Sequence, residues 1–188
     1  KYLKQEGIIN EVIAVSVIKD KDKRQFKGLA DKELWKFRSE IHREGNLMHI
    51  CIIEILLQTG IRVSELVNIK LSDIKISDRK GSLQVIGKGN AKRTVPLNKD
   101  ARKSINKYLQ VRQDDGSDYL FIGQRGAIKR NAVNLILEGY GERLKIKVTP
   151  HMIRHTLGYN LVKKNIPITT IQQILGHESI TTTNLYTQ

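Results

Sequence analysis

The sequence predicts a mainly α fold with a small three-stranded antiparallel β-sheet, an α+β architecture, and three observations carry that prediction. Residues 45–60, "GNLMHICIIEILLQTG", are apolar on nearly every side and read as a buried central helix. Between Asp73 and Leu97 three short β-prone runs, "IKI", "SLQVI" and "RTVPL", are parted by the turn sequences "SDRKG" and "GKGNAK". On either side of that stretch apolar residues return to helical spacing, so helices should surround one small sheet. At 188 residues the chain can bury one good core, with at most a short appendage.

Residues 1–18 mix apolar and polar side chains without strong periodicity, and "KDKDKRQFKG", residues 19–28, is charge-dense like an exposed linker. Asp31 is the expected N-cap of a helix through "DKELWKFRSEIHREG". Leu34, Phe37, Ile41 and Arg38 or His42 then follow at helical spacing, with Trp35, His42 and His49 expected as packing or surface residues. Gly60 should close the central helix in a left-handed cap, and "VSELVNI" starts a second short helix at once. Arg62 falls in the turn between them, a costly home for a guanidinium unless an anion meets it. The three β runs make a meander with Lys88 on its second turn. "NKDARKSINKYLQVR" reads as a helix capped by Asn98 or Asp100, and "QDDGSDY" as a loop. "NAVNLILEGYGERL" reads as another helix, one that Gly139 and Gly141 are expected to break. In "VTPHMIRHTLGYNLVKKN", Thr149 suits the N-cap and Pro150 the first helical position.

Lys and Arg number 33 against 19 Asp and Glu, a formal charge of +14, more than an enzyme of neutral metabolites needs. The excess suits a polyanion, since neutralising phosphates releases condensed counterions. Cys51 lies in the apolar helix and reads as a small core residue; one cysteine cannot form an intramolecular disulfide or a thiolate zinc site, so a reducing cytoplasm is expected. His49 and Glu54 interrupt the best candidate for a membrane span, and the opening residues show no signal-peptide pattern. The chain begins at Lys1 rather than Met, so a piece of something longer is expected.

His151 and Arg154 stand at i and i+3 in the first turn of their helix, on one face, where free amides and the helix dipole favour an anion. His155, one residue round, is expected to face elsewhere and orient the fold. A metal reading takes His151 and His155 at i, i+4 with His177 as a third ligand, but Arg154 in their midst is unfavourable to a cation. An ordinary basic helix face is the plainer alternative. "LGHES" alone reads equally as a helix stop at Gly176 followed by a cap at Ser179. Tyr186, nine residues after His177 and two from the end, would by itself be a buried ring on a last turn, and Lys88 a solvated turn residue.

Together, "QTGIRVSEL", "VIGKGNAKRTVPL", "HMIRHT" and "ILGHESITTTNLYT" resemble, in order, the four motif regions of the tyrosine recombinases, the phage-integrase family, over residues 27–188. The resemblance implies that fold's catalytic domain at 27–188, with residues 1–26 the tail of a preceding core-binding domain and the interdomain linker. It matches the family's T-G-x-R arginine to Arg62, its β-turn lysine to Lys88, its H-x-x-R pair to His151 and Arg154, its L-G-H histidine to His177 and its nucleophile to Tyr186. None of these six positions is substituted. Glu65 fills the acidic position after the first arginine and is given a supporting role.

The function implied by the resemblance is that of a site-specific recombinase or integrase acting on double-stranded DNA through a 3′-phosphotyrosyl intermediate, with neither metal nor cofactor. A homotetramer on paired sites is implied for the whole protein, in the cytoplasm of a bacterium and commonly within a mobile element. With two residues after Tyr186, the C-terminal tail by which relatives dock onto a neighbour is expected to be short or missing. Two other functions share these motifs or this fold: a type IB topoisomerase that religates the same strand, and a DNA-binding regulator without catalysis.

Overall fold

The computed structural model describes residues 28–114 and 116–176, and of Lys88 only the backbone. In chain order the elements are α1 (Asp31–Glu44), α2 (Leu47–Thr59), α3 (Val63–Leu66), β1 (Ile74–Ile76), β2 (Gly81–Ile86), β3 (Lys92–Pro96), α4 (Lys99–Leu109), β4 (Ile122–Gly123), β5 (Gly126–Ala127), α5 (Arg130–Leu144), α6 (Pro150–Lys163) and α7 (Ile168–Leu175). The fold is mainly α with a small three-stranded antiparallel sheet, as the sequence predicts.

Helix α2 is the centre. Ile50 to Leu57 are all buried, and α2 packs against both α4 and α6. An apolar face wide enough to meet several neighbours at once suits burial rather than a surface position. Its ends are fixed locally: Asn46 Oδ1 accepts from the His49 amide at 3.1 Å, and Gly60 takes φ +63° as the left-handed cap. The one carboxylate in α2, Glu54, is buried and satisfied. Arg38 Nε and Nη2 donate to it at 2.9 and 2.8 Å, Gln58 Nε2 at 3.1 Å, and His42 Nε2 lies 3.1 Å away. These bonds tie α1 to α2, a buried charge held by its partners.

The sheet order is β1-β2-β3, with Ile74 opposite Leu83 and Leu83 opposite Val95. Leu83 and Val85 of β2 and Val95 of β3 point inward, while Gln84, Ile86 and Thr94 are exposed, the period-two alternation of a half-buried sheet. The turn between β2 and β3 occupies Lys88–Asn90, with Gly89 at φ +68° and Asn90 at φ +63°.

Several expectations need correction. The N-cap of α1 is Ala30, one residue before Asp31; the Ala30 amide donates to Glu33 Oε2 at 2.9 Å, so the acidic first turn substitutes for a capping side chain. The second short helix is shorter than "VSELVNI", ending at Leu66. Helix α5 is not broken at Gly139 or Gly141 but runs through both to Leu144. Gly141 has a packing reason: a Cβ there would lie 2.6 Å from the Ile146 carbonyl oxygen, where the chain folds back after Lys145. A second hairpin, β4–β5, was not expected, because two residues per strand are too few for alternation to register. The other caps agree: Asn98 accepts from the Ala101 amide and Thr149 from the Met152 amide.

Candidate active site

The site forms where three chain reversals meet: the Gly60–Arg62 corner between α2 and α3, the first turns of α6, and the end of α7. Gly60 must be left-handed for this corner, and the approach is tight, since a Cβ on it would lie 2.7 Å from Leu175 and 2.9 Å from Leu157. Arg62 is thereby delivered as the N-cap of α3. Its amide donates to Glu65 Oε2 at 2.8 Å, its Nη1 to Glu65 Oε1 at 3.3 Å, and its Nη2 to the Gly176 carbonyl at 3.1 Å. About two fifths of its side chain is exposed, with relative accessibility 41%.

Arg154 sits one layer deeper, 6% exposed, and reaches from α6 across the corner. It donates from Nη1 to the Gly60 carbonyl and from Nη2 to the Leu175 carbonyl at 2.5 Å. Both acceptors lie at helix C-termini, where unsatisfied carbonyls and the dipole favour a cation. The two arginines therefore bond adjacent carbonyls, Leu175 and Gly176, of one helix stop. Two guanidinium groups held this close repel each other unless negative charge is supplied.

Glu65 supplies part of it. This carboxylate, 4% exposed, also accepts a bidentate pair from Arg93, Nη1 to Oε1 at 2.7 Å and Nη2 to Oε2 at 2.9 Å. Burial alone would raise its pKa. The Arg93 hydrogen bonds, then the Arg62 amide and the charges of both arginines, outweigh burial and hold it below the ordinary value. Two guanidinium groups share this carboxylate, and Arg154 adds a third positive charge at the same corner, which leaves the pocket positive.

His151 stands at the exposed start of α6, its pKa lowered first by partial burial and then by the charge of Arg154. Both effects favour the neutral ring, the form able to accept a proton. The expectation for His155 is corrected: it does not face elsewhere. It is buried, and its Nε2 lies 2.9 Å from His151 Nε2 with the rings edge to face at 4.3 Å. That spacing is a ring-to-ring hydrogen bond. Among the described residues no group of three His, Cys, Asp or Glu is arranged to hold a metal ion.

Of the six residues matched from sequence, Arg62, His151 and Arg154 come together here. The Lys88 backbone is on the β2–β3 turn as expected. His177 and Tyr186 lie outside the described residues, though the carbonyl of Gly176, next to His177, is held by Arg62. Sequence reasoning missed Arg93. It shares the inward phase of β3 with Val95, and an arginine in that phase is the available signal that a buried acid awaits it.

The phage integrase family model matches residues 29–188. The tyrosine recombinase XerA of Pyrococcus furiosus is 39% identical over 167 residues, covering 86% of this chain and 57% of that relative. The crystal structure of XerA recombinase matches with a TM-score of 0.77 at 29% identity, over 86% of this chain and 60% of the other. The XerH site-specific recombinase bound to difH substrate, in a pre-cleavage complex, matches with a TM-score of 0.77 at 25% identity, over 86% of this chain and 50% of the other. The chain spans little more than half the length of these relatives.

Proposed function

The chain belongs to the phage integrase family, whose model spans residues 29–188, and from that premise we propose that it is the catalytic domain of a site-specific DNA recombinase. The observation that carries the proposal is the convergence of Arg62 and Arg154 on the adjacent carbonyls of Gly176 and Leu175, with Glu65 holding Arg62 and His151 one helical turn before Arg154. Such a pocket suits a phosphodiester, whose non-bridging oxygens gain negative charge as the phosphorus is attacked.

In this reading the Tyr186 phenol oxygen attacks the scissile phosphorus. A new P–O bond forms as the bond to the 5′ oxygen breaks. The phenol proton passes to His151, and Lys88 gives a proton to the departing 5′ oxygen. Arg62, Arg154 and His177 stabilise the phosphorane-like charge. The products are a 3′-phosphotyrosyl link and a free 5′ hydroxyl. Attack by a 5′ hydroxyl from a partner strand reverses the step, so the number of phosphodiester bonds is conserved and no nucleotide cofactor is consumed. The arginines occupy the role a metal ion would otherwise fill.

The substrate is double-stranded DNA, to which the charge of +14 is suited. In the whole protein we assign strand exchange to a homotetramer on two paired sites, with residues 27–188 catalytic and residues 1–26 the tail of a preceding core-binding domain and the interdomain linker. Among the described residues no helix is long and apolar enough to cross a membrane. Because its substrate is DNA, we place the work in the cytoplasm, associated with the nucleoid when bound.

The test compares wild type with Tyr186→Phe for DNA affinity and for protein trapped covalently on supercoiled plasmid by detergent. The expected result is equal affinity with covalent product in the wild type alone. Equal affinity with no product from either, even after the preceding domain is restored, would favour the binding-only regulator and sink the proposal.

A further inference from the structure

We infer that Arg93 is a positioning residue for strand cleavage: through its ion pair with Glu65 it anchors the root of the β2–β3 hairpin, and so the approach of Lys88, to the same corner that carries Arg62. The inference rests on the proposed role of Lys88 as the proton donor to the 5′ oxygen.

The geometry is specific. Arg93 spans both Glu65 oxygens, at 2.7 and 2.9 Å, and Glu65 in turn accepts from the Arg62 amide and guanidinium. The same ion pair lies directly under Gly87, the residue before Lys88. A Cβ built on Gly87 would stand 3.6 Å from Arg93 Nη1 and 3.7 Å from Glu65 Oε1. Gly87 also closes the turn, its amide donating to the Ala91 carbonyl at 2.8 Å. On its other side the Arg93 guanidinium rests on Gly176, where a Cβ would fall 2.8 Å from both Cζ and Nε; Nε bonds no described residue. One part-buried ion pair thus lies beside the residue preceding Lys88 and the residue preceding His177, and it bonds Arg62 directly through Glu65.

Val85, the cross-strand partner of Arg93, also holds the hairpin by packing into the core, whereas the segment beyond it projects outward. Its tip is a short turn with two left-handed residues, Gly89 and Asn90, and Ile86 before it is exposed. Glu65 and Arg93 join it to the rigid α2–α3 corner. Displacing a reacting group by about 1 Å typically costs about 100-fold in rate.

The test uses a duplex carrying a cleavage site recovered by sequencing DNA trapped on the protein, made with either oxygen or sulfur at the 5′ leaving position. A thiol, with a pKa near 8.5, leaves without help from a general acid, whereas the alcohol needs a proton. Wild type, Lys88→Ala, Arg93→Met and Arg93→Lys are compared for cleavage rate, DNA affinity and thermal midpoint. Arg93→Lys keeps the cation beside Glu65 but cannot span both oxygens, so it decides the matter if Arg93→Met fails to fold.

On the oxygen duplex both Arg93 variants should cleave about 100-fold more slowly, with affinity within about threefold of wild type. On the sulfur duplex that loss should shrink at least tenfold, in step with Lys88→Ala, leaving a small residue from the Gly176 contact. A merely structural role would slow both duplexes alike. If Lys88→Ala is rescued by sulfur and the Arg93 variants are not, or if they cleave the oxygen duplex at the wild-type rate, the inference is wrong and the role of Lys88 stands. If sulfur does not rescue Lys88→Ala, the role of Lys88 fails and the inference falls with it.

Discussion

Arg154 serves two purposes that a lysine cannot combine. Its fork holds the Gly60 and Leu175 carbonyls together, and in the proposed reaction its charge stabilises the phosphate beside Arg62. We expect Arg154→Lys to slow covalent adduct formation by roughly 100-fold or more, measured in single turnover. Stability should also fall by about 1–3 kcal/mol in urea unfolding, since a buried carbonyl loses its donor. Two neighbouring groups set the pH dependence. The His151 pKa is lowered from 6.5, so the ring keeps its neutral form to lower pH than an ordinary histidine; the acid-side midpoint of adduct formation should fall below pH 6.5. The Glu65 pKa is lowered from 4.5, so the unfolded chain binds the proton first. Its contribution to stability is fully present above pH 4.5 and is lost as pH falls through the lower folded value, which acid titration of the unfolding free energy will follow. At this scale the sequence was informative where residues come in fixed spacings, as His151 and Arg154 do on one helix face. It was silent where partners are distant in the chain: Arg93 and Glu65 are 28 positions apart, and only folding brings them together. Local pattern also placed His155 wrongly, because an i, i+4 pair can meet through its ring tips.

Helices and strands were legible wherever the apolar period ran for several residues, as in α2, the meander and α6. They were obscure where the period was short or broken by glycine. Helix α5 shows the reason: propensity sets each glycine against the helix by about 1 kcal/mol, and tertiary packing outweighs that cost. The two glycines nonetheless differ, which gives a matched pair. Gly141→Ala should destabilise by about 1–3 kcal/mol, because its Cβ would press on the Ile146 carbonyl at 2.6 Å. Gly139→Ala meets nothing within 4 Å and should stabilise by about 0.5–1 kcal/mol, through helix propensity alone. Urea unfolding of the two variants checks both signs. Removal of the α4 cap by Asn98→Ala should cost about 1 kcal/mol in the same assay, as the Ala101 amide loses its acceptor.

Across the whole molecule, a core built on α2 holds the corner and α6, and a second apolar cluster of Ile171 and Leu175 against Leu157 and Val162 seats α7 on α6, so that residues far apart in sequence share one positive pocket. The charge of +14 then acts at long range on a polyanion. DNA affinity should fall by about 1,000-fold or more between roughly 50 and 200 mM salt, the behaviour of six or more phosphate contacts, as fluorescence anisotropy can measure. An affinity indifferent to salt would remove DNA as the partner. We propose that Tyr186 becomes joined to DNA without a metal ion. The most direct measurement incubates the protein with supercoiled plasmid in excess EDTA, traps the product with detergent, digests the DNA with nuclease and identifies the modified peptide by mass spectrometry. The expected product is a nucleotide attached through its 3′ phosphate to Tyr186. Attachment at another residue, or attachment abolished by EDTA, would contradict that claim.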